Sequence, residues 1–315
     1  MDGRAHARGS NARPAPVRRP GAEPPAWTRA LAEGDDAGWF GPGSAVWAVH
    51  GALPTLVAGI RALLLQTLHP GAMAGVHDHS RYRDDPLGRL DGTIRWVATT
   101  TFGDRRAAAA ACTFVTRLHD RVTGTYVDAR GVERPYAAND VELLRWVHDA
   151  FTEAFIGAHE IWGGPIPGGA DVYVREWAQA GRLMGLPDPP TSRAELRQEL
   201  DAFLADAKPD DRVAEAVRFI RRPGLPGLTG RLYPILFGGA VASLDPRHRE
   251  LLGLRRPRWP AITMTRVLLW SATRVLGRMS PSERNARARI ARLDAAGRQP
   301  GEGSRNPSPG RSAAA

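Results

Sequence analysis

The sequence predicts an all-α body, and three observations carry that expectation. Hydrophobic residues make up 43% of the 315 positions and charged ones 24%, which supplies a large apolar core and excludes a disordered or fibrous protein. Helix-starting signals recur: Asn139 with Glu142, Ser192 with Glu195, and Ser280-Pro281 with Glu283 each set a side-chain acceptor ahead of a carboxylate. No run alternates apolar and polar residues for more than a few positions, as a half-buried strand would.

At the two ends, residues 1–25 and 295–315 have a Pro/Gly/Ser/Arg composition that cannot offset its own ordering entropy. Both are expected to be disordered tails around one domain at 26–294. Of the net charge of +10, residues 1–29 hold +4 and residues 278–315 hold +5, which leaves +1 for the body. A folded surface that reads nucleic acid is therefore not expected. Lys208 is the only lysine among 43 basic residues, so the arginine excess reads as compositional. The first 25 residues have no apolar stretch of the kind a signal peptide needs, and a lone Cys112 fits a reducing compartment, so a cytoplasmic location is expected. Between Gly41 and His77 the one charge is Arg61, and Pro54 and Pro70 interrupt the run. A spanning helix needs about 20 continuous apolar residues, so this stretch is expected to be buried core, with peripheral membrane contact as the alternative.

The next segment, 88–124, holds the candidate chemistry. Leu90, Ile94, Val97 and Thr101 recur at helical spacing, and Phe102-Gly103-Asp104 ends that helix and caps another. The second helix, about 105–122, carries Ala108, Ala111, Val115, Leu118 and Val122 on its apolar face, with His119 beside Leu118. Each residue rises about 1.5 Å along a helix, and Arg89 and His119 are equally far from Asp104, so an antiparallel hairpin brings them level. A flat apolar group between these helices would meet His119 on one side and Arg89, Thr93 and Trp96 on the other. That is how heme sits between a proximal histidine and a polar distal pocket. A lone histidine on an apolar face is equally the pattern of a satisfied core residue. Arg89 could pair with Asp85 or Asp91 at a helix start, and Thr93 could be a small packing residue.

Two rival sites share the sequence. His148 lies on a helix with Leu144, Phe151 and Phe155, so by periodicity it is as good an iron ligand as His119. His69, His77 and His79 with Asp78, Asp84 and Asp85 could form a non-heme metal site, or a solvated loop whose residues cap neighbouring helices. Further on, Asp171, Asp210 and Asp245-Pro246 read as helix starts. Leu196, Leu200, Phe203 and Leu204, then Val213, Val217 and Ile220, read as helical stripes.

The ordered series Arg61-Ala-Leu-Leu-Leu-Gln66, His69-Pro70, Gly75-Val76, His79-Ser80, Asp85-Pro86, Gly88-Arg89-Leu90 and Thr93 resembles the MpaB-type oxygenase family, which includes the latex-clearing proteins or rubber oxygenases. The resemblance continues through Phe102-Gly103, His119, Val122, Gly124, Tyr136-Ala137 and Glu142-Leu-Leu-Arg-Trp-Val-His148. It implies a globin-like helical core with flanking helices and a heme b whose iron is held by His119. Arg89 and Thr93 would be the distal, catalytic pair, and His148 a histidine near the cofactor pocket. Oxygen and a small apolar alkene, isoprenoid or lipid-like, would be the substrates. Rubber oxygenases carry a lysine before that threonine, and this chain has Gly92, so a lysine-capped iron is not expected. With no export signal, a smaller substrate than rubber is expected. A heme sensor or carrier without turnover, a cofactor-free apolar-ligand module and a non-heme metal enzyme at His69, His77 and His79 are the alternatives.

Overall fold

The computed structural model describes residues 24–80, 83–204, 207 and 210–298. Helix α1 (Ala26–Arg29) runs into a 3-10 turn at Ala30–Ala32, followed by α2 (Ala45–Gly51), α3 (Thr55–Gln66) and α4 (Pro70–His79). The hairpin α5 (Pro86–Phe102) and α6 (Arg105–His119) comes next, then the strands β1 (Thr123–Val127) and β2 (Glu133–Ala137). The remainder is α7 (Val141–Trp162), α8 (Ala170–Leu183), α9 (Arg193–Leu204), α10 (Asp211–Arg221), α11 (Gly227–Ser243), α12 (Pro246–Leu251), α13 (Ala261–Leu276) and α14 (Pro281–Arg298). The fold is all-α. Apart from 24–25 and 295–298, the segments expected to be tails lie outside the described residues, and α14 continues to Arg298.

Several starts form as the side chains dictate. Glu195 N–H donates to Ser192 Oγ (3.2 Å) and Glu283 N–H to Ser280 Oγ (3.1 Å), while Asp210 and Asp245 accept from Val213 N–H and Arg247 N–H. Two expectations shift. The residue ahead of α7 is Asp140 rather than Asn139, and α8 starts after Gly169, whose φ of +86° suits glycine, with Asp171 in its first turn. The antiparallel pair β1–β2, in register from Thr123↔Ala137 to Val127↔Glu133, was not expected. It is nearly all exposed, with Tyr136 as its one buried residue, so it has no inward face for an alternating pattern to mark. The Asp128 carboxylate closes its turn by accepting from Arg130 N–H, Val132 N–H and Arg134 Nε.

The core is built on α3 against α7. Val57, Ile60, Leu64 and Leu65 from α3 and Trp146, Ala150, Ala154 and Ile156 from α7 are all buried. Each large side chain so buried stabilises the fold by about 1.5–3 kcal/mol. The uncharged stretch of the sequence thus forms buried core, as α2 to α4. Helices α2 and α3 meet at 93°, and no single helix among the described residues is long and apolar enough to cross a membrane.

One charge is locked inside this core. Arg61, 3% exposed, donates from Nε to the Ala154 carbonyl (3.2 Å) and from Nη1 to Ser243 Oγ (2.8 Å) and the Ser243 carbonyl, and Nη2 lies 3.8 Å from Glu153. It joins α3, α7 and α11. Room for it comes from Gly157, where a Cβ would fall inside van der Waals contact of Nη2. Replacing a helical glycine by alanine normally gains about 1 kcal/mol, but here the guanidinium is fixed by its hydrogen bonds and overpacking costs about 1–3 kcal/mol. Gly157→Ala is therefore expected to lower the urea-unfolding free energy; an increase would show that Arg61 is free to move.

A second buried group holds a proton. Asp149 is fully buried on α7, and burial, reinforced by the Glu199 carboxylate on α9, pushes its pKa up to about 9. Arg145 Nη1 donates to the Glu199 carboxylate and to the Asp188 carbonyl. The folded state then binds a proton that the unfolded state releases above about pH 4. Asp149 contributes most stability below that pH, and the contribution falls by up to about 1.4 kcal/mol per unit as pH rises towards 9. Asp149→Asn should remove this dependence, so the stability difference between variant and wild type should narrow or invert from pH 5 to 8.5; parallel curves would contradict the assignment.

Candidate functional site

The α5–α6 hairpin is fixed at its turn end and lightly held at the other. Asp85 starts α5 by accepting from Gly88 N–H (2.9 Å), Gly103 N–H closes it on the Thr99 carbonyl (2.8 Å), and Asp104 starts α6 by accepting from Ala107 N–H (2.7 Å). Thr100, Thr101 and Phe102 are buried against the body. His50 of α2 bridges Thr101 Oγ1 (2.8 Å) and Tyr173 Oη (2.9 Å), and Trp47 Nε1 donates to the Thr101 carbonyl. Burial, with His159 nearby, lowers the His50 pKa to about 3, so this ring is neutral. Trp96 packs edge-on against Phe151 and Trp177.

Beyond Trp96 the hairpin leaves the core. Leu90 and Ile94 on α5 and Phe114 and Leu118 on α6 are all more than 40% exposed, although they belong to or adjoin the apolar stripes read from the sequence. The buried positions of α6 are Ala108 and Cys112; Leu118 faces outward, and the helix ends at His119 rather than near 122. The outer half of the hairpin is thus an apolar surface that nothing in the chain's own core covers.

A cross-hairpin contact sets the levels. Thr100 Oγ1 lies 3.8 Å from Cys112 Sγ. Seven residues further from the turn on each helix, that contact puts His119 about level with Thr93. His119 is half-buried, which lowers its pKa, and the Asn139 side chain and Asp120 partly offset the shift. Asn139 has a fixed orientation, because its Nδ2 donates to the Thr116 carbonyl (3.1 Å) and to Asp120 Oδ1 (2.8 Å). Its Oδ1 and the imidazole Nδ1 are both buried, and neither has a hydrogen-bond partner among the described residues. The Asn-x-x-Glu pattern suggested a cap at Asn139, but its amide is held by Thr116 and Asp120 instead.

The two polar partners expected opposite His119 face elsewhere in this structure. Arg89 Nη1 donates to Ser80 Oγ at the end of α4 (3.0 Å), and Thr93 is exposed with its hydroxyl on the Arg89 carbonyl (3.2 Å). At Gly92 a side chain would meet open space.

Residues 47–278 match the family described as "ER-bound oxygenase mpaB/B'/Rubber oxygenase, catalytic domain". The chain belongs to this family. Its domain is that of an oxygenase. Comparison with curated proteins and with solved structures returned no match.

Within this oxygenase domain the rival sites separate. His148 is fully buried with its pKa lowered to about 4 by burial, and its ring packs where Gly181 of α8 leaves room, 3.1 Å from where a Cβ would sit. It is a core histidine between α7 and α8, and its Nε2 has no hydrogen-bond partner. The three histidines lie on α4 rather than in the loop expected, and they diverge: His69 caps the helix by accepting from Gly71 N–H, while in its last turn His77 meets Asp78 and Glu215 and His79 Nε2 bonds the Thr123 carbonyl. Among the described residues no group of three or more His, Cys, Asp or Glu could hold a metal ion. The non-heme alternative at His69, His77 and His79 is therefore not supported. A heme iron needs only one such ligand, so this finding does not bear on His119.

Proposed function

We propose that the chain is a heme-b-dependent oxygenase acting on an apolar alkene of isoprenoid or lipid type, with His119 as the ligand to iron and oxygen as co-substrate. The observation that carries this reading is a half-buried imidazole, its pKa lowered by burial, set beside Asn139 on a hairpin whose apolar face the described residues leave open. Neither His119 Nδ1 nor Asn139 Oδ1 has a hydrogen-bond partner, and turning Nδ1–H onto that oxygen would fix the tautomer that leaves the Nε2 lone pair for a metal, the usual way a protein orients a ligating histidine. Leu90, Ile94, Phe114 and Leu118 suit contact with a flat apolar group and with an apolar chain beside it.

When bound, heme supplies the binding and activation of oxygen. The chain's own residues do the rest. Asn139 holds the His119 ring, the apolar side chains exclude water, and Arg89 and Thr93 offer one charged and one neutral donor from α5 to stabilise negative charge developing on oxygen. For Arg89 this requires the guanidinium to leave Ser80. Gly92 brings no side chain to the metal, so ferric protein is expected to show a high-spin or water-ligated spectrum.

Protein expressed with a heme supply should show a Soret band. His119→Ala should lose most heme and His148→Ala should keep it; the reverse moves the ligand role to His148. Asn139→Ala should weaken heme retention by about 10-fold, while Asp120→Asn, which keeps a side-chain oxygen to accept from Asn139 Nδ2, should retain it. Equal loss in both variants would mean that Asn139 acts only through Asp120.

Turnover separates the roles again. Arg89→Ala and Thr93→Ala should retain heme and lose about 100-fold in oxygen consumption with an isoprenoid alkene. If heme binds but no alkene drives oxygen uptake, the protein is a sensor or carrier.

A further inference from the structure

Helix α13 has an outer face that the other described residues do not cover. Met264, Val267, Trp270 and Val275 are all exposed on it, Trp270 by 58% and Val275 by 83%, and Leu276 and Met279 extend the apolar surface past its end. At its start Trp259 is also exposed, in the loop that leads into α13. The opposite face, Ala261, Thr265 and Leu269, is buried, and Thr265 donates to the Ile235 carbonyl of α11. Soluble monomers rarely leave so continuous an apolar surface open unless something binds it.

Charge on this segment has one sign. Arg255, Arg256, Arg258, Arg266, Arg274 and Arg278 are all exposed, and no acidic residue occurs between Glu250 and Glu283. Arg274 lies over the Trp270 ring, 4.7 Å from its centroid, so cation and aromatic present together. We propose that α13, with the arginine loop ahead of it, lies on the surface of an anionic lipid bilayer, its apolar side chains inserted at the headgroup boundary and its arginines on lipid phosphates.

Charge complementarity selects this occupant. A second copy packed symmetrically on the same face would set arginines against arginines, without acids to offset them. The two terminal segments outside the described residues, 1–23 and 299–315, are themselves net basic and do not complement it. A helix with tryptophan and aliphatic residues interleaved with arginine matches an interfacial helix, in which long cationic side chains lie along apolar surface and reach headgroups. The inference does not depend on the heme reading.

The test is co-sedimentation of the full chain with phosphatidylcholine vesicles and with phosphatidylcholine vesicles containing 30% phosphatidylglycerol (roughly physiological anionic content). Wild type should bind the anionic vesicles at low salt and not the neutral ones. Arg255→Gln with Arg256→Gln and Arg278→Gln should weaken that binding by about 100-fold, because each arginine near such a surface contributes about fivefold. Trp270→Ser with Val275→Ser should weaken it by more than about 10-fold, since apolar insertion is lost. Circular dichroism checks that both variants keep the wild-type fold. Equal binding to both vesicle types, no binding, or wild-type binding by either variant would overturn the proposal. So would light scattering that shows a dimer broken by Trp270→Ser with Val275→Ser, which would assign the face to a second copy.

Discussion

A guanidinium enclosed by three helices governs how this fold is assembled. Taking an arginine out of water costs several kcal/mol unless its donors are met, and Arg61 meets them on main-chain and side-chain oxygens of α7 and α11. Those partners are 93 and 182 positions away in sequence, so α3 buries its charge only once α7 and α11 are both in place. Hydrophobic burial supplies the larger share of the stability, but apolar contacts tolerate sliding and hydrogen bonds to a planar group do not. The register of α7 on α3 follows. With it follow the positions of Phe151 and Phe155, and through their contacts with Trp96, Trp177 and His50 the place where α5 meets the core.

From that anchor the hairpin divides into two halves with different physics. The half near Gly103 is closed: Thr101 serves Trp47 and His50, and Phe102 packs on Trp47 at 5.0 Å. The half that carries Arg89, Thr93 and His119 has the same helix-forming sequence but apolar residues facing outward. Local helix propensity and caps at Asp85 and Asp104 keep it helical without core burial. Such an element can change its separation from the body at little cost to the core. A flat cofactor needs that freedom, and a packed helix pair could not give it.

The sequence discloses the features that obey short-range rules. Capping at Ser192, Asp210, Asp245 and Ser280 and the glycine stop at Gly103 depend on neighbours within a few residues, and the structure realises each. What escaped were features that depend on contacts across the chain. His50 is an ordinary helix residue until Thr101 and Tyr173 flank it from positions 51 and 123 residues away. Asn139 follows a capping pattern, yet Asp120 and the Thr116 carbonyl claim its amide first. Leu118 sits on the amphipathic stripe by periodicity, but periodicity identifies a face and not what covers it. The β1–β2 pair has no core behind it and so leaves no alternation to read.

Charge shows the same limit most plainly. A body with a net charge of +1 reads as featureless when counted along the chain, and that count gave no reason to expect a basic surface. The sum conceals segregation. Acids and bases mix through α7 to α10, where Arg145 meets Glu199 and Arg193 meets Glu160, so these two arginines are taken up by partners within the fold. From Leu251 to Ser282 there is nothing to pair with, and every arginine in that stretch faces solvent beside exposed aliphatic and indole side chains. A net charge near zero limits long-range attraction in bulk. It sets no limit on the potential within a Debye length of one face, about 8 Å at physiological ionic strength, and that is the distance at which a lipid headgroup responds to a helix laid against it.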